Sequence, residues 1–240
     1  MRNTVRAALI AAIIGGTAVG LSGAATAAPL NDPRGLCASH DDAGNCVFGW
    51  AGPSHSVDGV FPSNYPQEQA VVDYLTKAVD EFEADSGPLG TLDEPLPPED
   101  FSATGTRYTS GDAATGTQSV VVEVDQMVRG AAHPAAWYKS FTYDMATKAP
   151  VTFDTLFRPG TKPLEVIMPI AQQQLSAGAG QPVTIDPALG LDPANYQSFA
   201  LTDDAVVFFI DRNGLVPAYG TTAKVSVPRS AVADLLTPGL

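Results

Sequence analysis

The feature that most constrains the fold is a stretch in which side-chain character alternates at every second position. In Gln118–Asp125, the even positions carry Gln, Val, Val and Val, and the odd positions carry Ser, Val, Glu and Asp. A two-residue period returns in Trp137–Tyr143, after which Asp144–Pro150 turns the chain into Val151–Phe153. This period is that of a β-strand, whose side chains point alternately to opposite faces of a sheet. The stretch therefore predicts strands, the last two paired antiparallel in a hairpin.

Four further segments have strand character, and the third of them is apolar on both faces, which predicts a central strand. They are Thr106–Thr109, Ser198–Leu201, Ala205–Ile210 and Ala223–Val227. Between the N-terminal region and these strands, Gly87–Asp100 is rich in proline, glycine and acidic residues, and it predicts a loop or linker.

Helical spacing appears in three places. The clearest helix should open at Asn64-Tyr65-Pro66, because Pro66 suits a first turn and the apolar residues from Val71 to Phe82 then recur with helical period. Leu164–Leu175 is also helical in pattern, but Pro169 must either kink that helix or restart a second one. A short final helix is expected in Pro228–Leu236. The predicted class is α+β, a mostly antiparallel twisted sheet packed on a few helices.

The N-terminus has the pattern of a secretory signal peptide. Arg2 and Arg6 precede the apolar stretch Ala7–Leu21, and Ala25-Thr26-Ala27 has the small-residue pattern of a cleavage site. The apolar stretch is shorter than the roughly 20 residues of a spanning helix, which favours cleavage over a retained anchor. We therefore expect residues 1–27 to be removed and residues 28–240 to form a single exported domain without a membrane anchor.

Acidic residues dominate the charge. The chain has 13 Lys and Arg against 26 Asp and Glu, and a formal charge of −13. Removal of the leader takes away Arg2 and Arg6, which leaves 11 basic against 26 acidic residues and a charge of −15. Such a surface repels phosphate backbones, so a nucleic-acid partner is not expected. It favours solubility, and it would steer a cationic protein partner toward the molecule.

The chain has two cysteines, Cys37 and Cys46, both near the expected mature N-terminus. In an exported protein such a pair predicts a disulfide. The alternative is a metal site that uses Cys37, His40 and Cys46. The sequence shows no fourth ligand at usual zinc spacing, and an oxidising compartment disfavours free thiolates, so the disulfide is preferred and no metal site is assigned.

Candidates for catalysis are few. Gly52-Pro53-Ser54-His55-Ser56 is the nearest match to the G-x-S-x-G motif of serine hydrolases, but it lacks the last glycine and a strand-to-helix context. Partners in a triad also meet through the fold rather than as chain neighbours. His133 could act as a base, although a histidine before a proline is also suited to the start of a strand. No catalytic residue is assigned, and His133 is the candidate to test.

Six blocks of residues stand out in the C-terminal half of the chain: His133-Pro134, Tyr138–Phe141, Pro150–Phe157, Gly190–Phe199, Leu201–Phe209 and Val227–Ala231. In this order they resemble a family of secreted mycobacterial immunogenic proteins known as antigen sixty-four. That family shares its C-terminal domain with the ectodomain of RsiV, a lysozyme-sensing anti-sigma factor. The resemblance runs from the cysteine pair to the C-terminus, with about residues 130–236 as the RsiV-like part.

The resemblance implies a β-grasp-like α+β fold, a disulfide near the N-terminus and an extracellular, antigenic protein. It supplies no agreed catalytic set, although some relatives are described as esterases. Sigma-factor signalling is not expected, because no cytoplasmic sigma-binding segment and no span after cleavage are seen.

We therefore expect a secreted, soluble, monomeric protein that acts by interaction at the actinobacterial cell envelope or host interface. Its partner is an unidentified protein, with a cationic or lysozyme-like protein as the specific candidate. No cofactor is expected. The alternative is a weak serine-type carboxylesterase that acts on short acyl esters and uses His133.

Overall fold

The part of the chain that the structure describes contains ten strands and five helices. This computed structural model describes residues 30–86, 99–217 and 220–240. The predicted signal peptide and residues 87–98 of the predicted loop lie outside these ranges. The strands are β1 Ser39–His40, β2 Asn45–Ala51, β3 His55–Pro62, β4 Glu99–Ser110, β5 Thr117–Met127, β6 Ala135–Asp144, β7 Ala149–Val151, β8 Phe199–Leu201, β9 Ala205–Ile210 and β10 Ala223–Pro228. The helices are α1 Glu68–Asp85, α2 Phe153–Leu156, α3 Pro163–Ala179, α4 Pro187–Gly190 and α5 Arg229–Val232, and Pro193–Tyr196 forms a 3₁₀ turn.

Strands β1 to β7 form one sheet in which spatial order follows chain order. All neighbouring pairs are antiparallel except β3 and β4, which are parallel. Parallel neighbours need a crossover connection, and α1 lies in the connection between β3 and β4. The predicted α+β class with a mostly antiparallel sheet is confirmed, and so is the predicted hairpin, in which β7 pairs with the end of β6.

Helix α1 covers one face of this sheet. Its apolar stripe is buried, as the helical spacing predicts, and consists of Val71, Val72, Leu75, Val79 and Phe82. These side chains pack on inward-facing residues of β3 to β6, among them Val57, Phe61, Phe101, Val122, Val124 and Phe141. Full burial of such a side chain contributes about 1.5–3 kcal/mol, so this contact is a major source of stability.

The remaining strands form a second antiparallel sheet in the order β10-β9-β8. Strand β9 is central, as its apolar character on both faces predicts. Its residues Val206, Phe208 and Ile210 belong to a core shared with α3, which also includes Ile167, Ala171, Leu175, Tyr196 and Val225. Phe209 belongs to a separate buried cluster with Val121 and Tyr138 of the larger sheet, so β9 joins the two sheets.

Several boundaries differ from the sequence predictions. Strands β2 and β3 were not predicted, and β4 begins at Glu99, so Glu99 and Asp100 are strand residues rather than loop. Helix α3 continues through Pro169 as one helix, and α5 is much shorter than the predicted Pro228–Leu236. These differences arise where pairing to a distant strand or packing on a neighbouring helix outweighs local propensity. Among the residues described, no helix is long and apolar enough to cross a membrane.

Candidate functional site

His133 lies in the connection before β6, two residues ahead of Ala135 where the strand begins. Its side chain is exposed, and its Nδ1 lies 3.0 Å from the carbonyl oxygen of the adjacent Pro134. Within residues 30–86, 99–217 and 220–240, no serine hydroxyl lies within hydrogen-bond distance of this imidazole. The structure therefore does not bring His133 together with a nucleophile.

Ser54 and His55, by contrast, are in contact. Ser54 lies in the connection between β2 and β3, which is closed by a hydrogen bond of 2.8 Å from Gly52 N to the His55 carbonyl. Its Oγ lies 3.4 Å from His55 Nδ1. On the other side of the ring, His55 Nε2 lies 3.6 Å from Oε1 of Glu83, a residue in the last turn of α1. A hydroxyl, an imidazole and a carboxylate thus lie in series.

Packing holds the imidazole in place. The His55 ring meets the ring of Phe82 edge to face with 5.8 Å between centroids, and both rings lie on the α1 side of the sheet. Trp50 Nε1 donates a hydrogen bond of 2.8 Å to Glu83 Oε1, which fixes the carboxylate beside the ring.

Glu83 stays anionic at neutral pH. Burial acts to raise its pKa, but hydrogen bonds from Trp50 and Arg34 outweigh burial and lower it below the usual glutamate value. Arg34 NH1 lies 2.8 Å from Glu83 Oε2, and Arg34 Nε donates a 2.6 Å hydrogen bond to Asp80. The site therefore keeps one permanent negative charge next to His55.

The sequence pattern revealed Ser54 and His55 but not Glu83. The serine and histidine of a catalytic triad usually come from distant parts of the chain. Ser54 and His55 differ from this pattern, because they are neighbours in sequence and the contact is made through Nδ1 of the imidazole. The carboxylate does arrive through the fold, because α1 packs its last turn over the start of β3. The arrangement satisfies the general requirement of a nucleophile in reach of a base that a third group orients.

The cysteine pair forms a second cluster. Cys37 and Cys46 are joined in a disulfide, as predicted from the sequence. His40 Nε2 lies 3.5 Å from Cys37 Sγ and 3.9 Å from Cys46 Sγ. The sequence did not indicate that Glu68, in the first turn of α1, would place its Oε1 3.8 Å from both sulfur atoms.

A third feature is the face of the larger sheet that α1 does not cover. Asp58 of β3, Ser102 of β4 and Asp125 of β5 are cross-strand partners, and such partners share a face. Asp100 and Glu123 lie two positions from these residues on β4 and β5, and therefore on the same face. Asp58, Asp100 and Asp125 are exposed. This acidic face is made of Asp58, Asp100, Glu123 and Asp125, of which Glu123 is half-buried and accepts hydrogen bonds from the Tyr138 and Thr222 hydroxyls.

The surroundings of two carboxyl groups on this face raise their pKa values. Burial, followed by repulsion from Asp100, raises the pKa of Asp58 above the usual aspartate value. Burial, followed by repulsion from Glu123, likewise raises the pKa of Asp125, although the positive charge of Arg212 opposes it. Partial burial, with like charge as the second cause, thus makes Asp58 and Asp125 harder to ionise than ordinary aspartates.

Comparison with known proteins identifies relatives over nearly the whole chain. The chain is 38% identical over 218 residues to the immunogenic protein MPB64 of Mycobacterium bovis, and this match covers 90% of this chain and 92% of the relative. The same values hold for the immunogenic protein MPT64 of Mycobacterium tuberculosis. It is also 42% identical over 192 residues to a protein of Mycobacterium tuberculosis named Esterase Rv3036c, which covers 79% of this chain and 82% of that protein.

The C-terminal half matches a domain family as well. A family model described as "Protein of unknown function (DUF3298)" matches residues 154–230, which lie within the part predicted to be RsiV-like. The fold is similar to the crystal structure of a DUF3298 family protein from Pseudomonas aeruginosa PAO1, with a TM-score of 0.51 and 13% identity. That match covers 81% of this chain and 94% of the other. The resemblance predicted from the sequence is confirmed, and this chain belongs to the family of the mycobacterial immunogenic proteins MPB64 and MPT64, with a DUF3298 domain in its C-terminal part.

Proposed function

We propose that this protein is exported and hydrolyses short-chain acyl esters, with Ser54 as nucleophile, His55 as base and Glu83 as the orienting carboxylate. The observation that carries the proposal is the series of contacts from Ser54 Oγ to His55 Nδ1 and from His55 Nε2 to Glu83. The relative named Esterase Rv3036c, at 42% identity, supports the same activity. The motif that the sequence pattern disfavoured thus becomes the preferred site, in place of His133.

The proposed reaction follows from the two ring nitrogens of His55. Ser54 Oγ attacks the ester carbonyl carbon while its proton passes to Nδ1, and Nε2–H points toward Glu83, whose charge stabilises the imidazolium. His55 then returns the proton to the leaving alcohol, and an acyl group remains on Ser54. Water, deprotonated by the same imidazole, then attacks the acyl carbon, and the imidazolium returns that proton to Ser54 Oγ as the carboxylic acid leaves. Distances of 3.4 and 3.6 Å are long for hydrogen bonds, and the proposed reaction requires both to shorten when substrate binds.

The test is hydrolysis of p-nitrophenyl acetate and p-nitrophenyl butyrate by purified protein. Ser54→Ala should lower kcat/KM by about 100-fold or more, and His55→Gln and Glu83→Gln should lower it by smaller factors. Ser56→Ala is the matched control, because Ser56 lies on the opposite face of β3 and donates a 2.6 Å hydrogen bond to Asp100. A fluorophosphonate probe should label Ser54 in the wild-type protein and leave Ser54→Ala unlabelled.

Two outcomes would contradict the assignment. Wild-type rates in Ser54→Ala would exclude this serine as the nucleophile, whereas wild-type rates in His133→Ala are what the assignment expects. A large loss in His133→Ala with Ser54→Ala unchanged would return the activity to the site first inferred from the sequence.

The acidic face favours a second function, binding of a cationic protein at the cell envelope or host interface. Its four carboxylates lie on the side of the sheet opposite His55, so binding there would leave the proposed hydrolytic site uncovered. Burial raises the pKa of Asp58 and Asp125, and the repulsion from Asp100 and Glu123 that adds to it would be relieved by positive charge on a partner. Dependence of that binding on salt and on these two aspartates is its test.

A further inference from the structure

We propose that Arg34 is a positioning residue of the hydrolytic site, acting on the base His55 through the carboxylate of Glu83. The inference rests on the proposed function of Ser54, His55 and Glu83. Arg34 belongs to the segment that precedes β1, and no motif in the sequence points to it. Its guanidinium nevertheless lies beside the last turn of α1, where Glu83 is placed.

Each carboxylate oxygen of Glu83 has its own partners. Oε1 accepts the 2.8 Å hydrogen bond from Trp50 Nε1 and lies 3.6 Å from His55 Nε2. Oε2 lies 2.8 Å from Arg34 NH1. A carboxylate held at both oxygens cannot turn about its last torsion without losing a charge-assisted contact. Arg34 therefore keeps the plane of the carboxylate in the orientation that directs one oxygen at the imidazole.

The guanidinium of Arg34 is itself fixed by two further contacts. Its Nε donates a 2.6 Å hydrogen bond to Asp80 Oδ1, and its NH2 contacts the same oxygen. Its central carbon Cζ lies 5.9 Å from the centroid of the Trp50 ring, within the range of a cation–π contact. A lysine could not reproduce all of these contacts, because its ammonium is a point charge without the planar fork of arginine. One side chain thus connects two carboxylates of α1 with the indole of β2.

Hydrogen bonds and burial hold the segment that precedes β1 against α1. Gln69 of α1 accepts a 2.8 Å hydrogen bond from Asn31 N and donates one of 2.9 Å to the Asn31 carbonyl. The Asp32 carboxylate accepts a 2.8 Å hydrogen bond from Leu36 N, which closes a turn around Arg34. Leu36 is fully buried in the core that α1 shares with the larger sheet. The guanidinium is therefore presented to α1 from a folded turn.

Arg34 also affects the charge of the site. Burial, the largest influence on the pKa of Glu83, acts to raise it, but the hydrogen bond from Trp50 and then the hydrogen bond and charge of Arg34 lower it below the usual glutamate value. Without Arg34, Glu83 would take up its proton at a higher pH as the solution is acidified. A protonated Glu83 no longer stabilises the imidazolium form of His55, so activity would be lost at less acidic pH.

The test compares Arg34→Met, Arg34→Lys and Lys77→Met in the hydrolysis of p-nitrophenyl acetate across a range of pH. Arg34→Met should lower kcat by about tenfold and change KM by less than about twofold, because Arg34 contacts Glu83 rather than the reacting groups. The acid limb of its kcat/KM profile should move to higher pH. Arg34→Lys keeps the charge, so it should restore the acid limb but only part of kcat. Lys77→Met is the matched control, since it removes an exposed cation of α1 that lies 3.6 Å from Glu81, and it should behave like the wild type.

A double variant separates positioning from a general effect on the fold. Because Arg34 acts through Glu83, Arg34→Met should lower kcat little further in a Glu83→Gln background, whereas a structural defect would add its full effect there. Titration of the Glu83 side-chain carboxyl carbon by NMR measures the same link without substrate. It should show a higher pKa of Glu83 in Arg34→Met than in the wild type, and no such change in Lys77→Met.

The role of Arg34 and the proposed function fail in different ways. Wild-type rates in Ser54→Ala would remove the proposed function and this inference together. Loss of activity in Ser54→Ala, with wild-type kcat and an unmoved acid limb in Arg34→Met, would overturn the role of Arg34 alone. Equal losses from Arg34→Met in the wild-type and Glu83→Gln backgrounds, or an unchanged titration of Glu83, would also overturn it. Circular dichroism of each variant shows whether the fold is retained.

Discussion

At the scale of single residues, Gly59 in β3 is a position where side-chain volume decides stability. A Cβ atom there would lie 2.6 Å from Phe48 Cε1 and 2.8 Å from the carbonyl oxygen of Ala103. The phenyl ring could shift, but the Ala103 carbonyl belongs to the neighbouring strand β4 and is fixed by the sheet. Glycine is required here by close approach of the chain rather than by backbone conformation.

Gly59→Ala should therefore destabilise the protein by about 1–3 kcal/mol, the usual effect of overpacking. Gly49→Ala in the adjacent strand β2 is the matched control, since its Cβ would have its nearest neighbour at 3.6 Å, an ordinary contact. Its effect should stay within about 0.5 kcal/mol. Chemical denaturation of both variants measures the difference, and equal midpoints would show that β3 and β4 can move apart.

At the scale of elements, α3 shows how tertiary packing overrides a local signal. Pro169 lacks the N–H that would bond to the carbonyl of Glu165, which is why the sequence suggested a kink or a restart. The helix nevertheless continues to Ala179, because Ile167, Ala171 and Leu175 are all buried on the same core. Burial of these three side chains in the core keeps the segments before and after Pro169 in a single helix.

Pro169→Ala should stabilise the protein by about 1–3 kcal/mol, because it restores a helix hydrogen bond at an exposed position. Loss of the rigidity that proline gives the unfolded chain reduces this gain by about 0.4–1 kcal/mol. Gln173→Ala, another exposed position of α3, should change stability by less than about 0.5 kcal/mol. Thermal unfolding of the two variants measures the effect. A lower melting temperature in Pro169→Ala would mean that the proline shapes α3 for its packing.

At the scale of the whole molecule, negative charge is the dominant long-range property. The formal charge of −13 is spread over many residues, but the acidic face concentrates four carboxylates on one side of the larger sheet. The second sheet covers another part of that side, where Phe209 packs between two tyrosines of the larger sheet. The centroid of its ring lies 5.4 Å from that of Tyr108 and 5.3 Å from that of Tyr138. The open part therefore lies on the β3–β5 portion of the sheet.

A lysozyme, as a cationic probe protein, should bind the acidic face with an affinity that falls steeply between low and physiological salt. Because the pKa values of Asp58 and Asp125 are raised, these groups take up protons sooner than ordinary aspartates as pH falls, so binding should also weaken on acidification. Asp58→Asn with Asp125→Asn should reduce affinity about tenfold or more without loss of stability, since it removes repelling charges.

Asp234→Asn removes one exposed carboxylate in the C-terminal segment, away from the acidic face, and as the control it should have a much smaller effect than either Asp58→Asn or Asp125→Asn alone. Calorimetric or interferometric titration measures all of these affinities. Binding that ignores salt, or that falls equally in the control variant, would exclude the acidic face as the docking surface.

Sequence patterns alone were sufficient for features that repeat locally. The two-residue alternation in Gln118–Asp125 and the helical stripe from Val71 to Phe82 identified elements and their buried faces, because burial imposes a period on the chain. The family resemblance was also visible in blocks of sequence and is confirmed by relatives over 90% of the chain.

Only the tertiary structure decided which distant side chains meet. Glu68 lies 31 and 22 positions after the two cysteines, and Glu83 reaches His55 from the opposite end of the same helix. No local period in the sequence encodes these contacts, because they depend on where α1, which lies in the connection from β3 to β4, packs against β1 to β3. The sequence by itself indicated the strands from β4 onward, helix α1 and the cysteine pair. The tertiary structure added β2 and β3, and the placement of α1 gave both clusters their carboxylate.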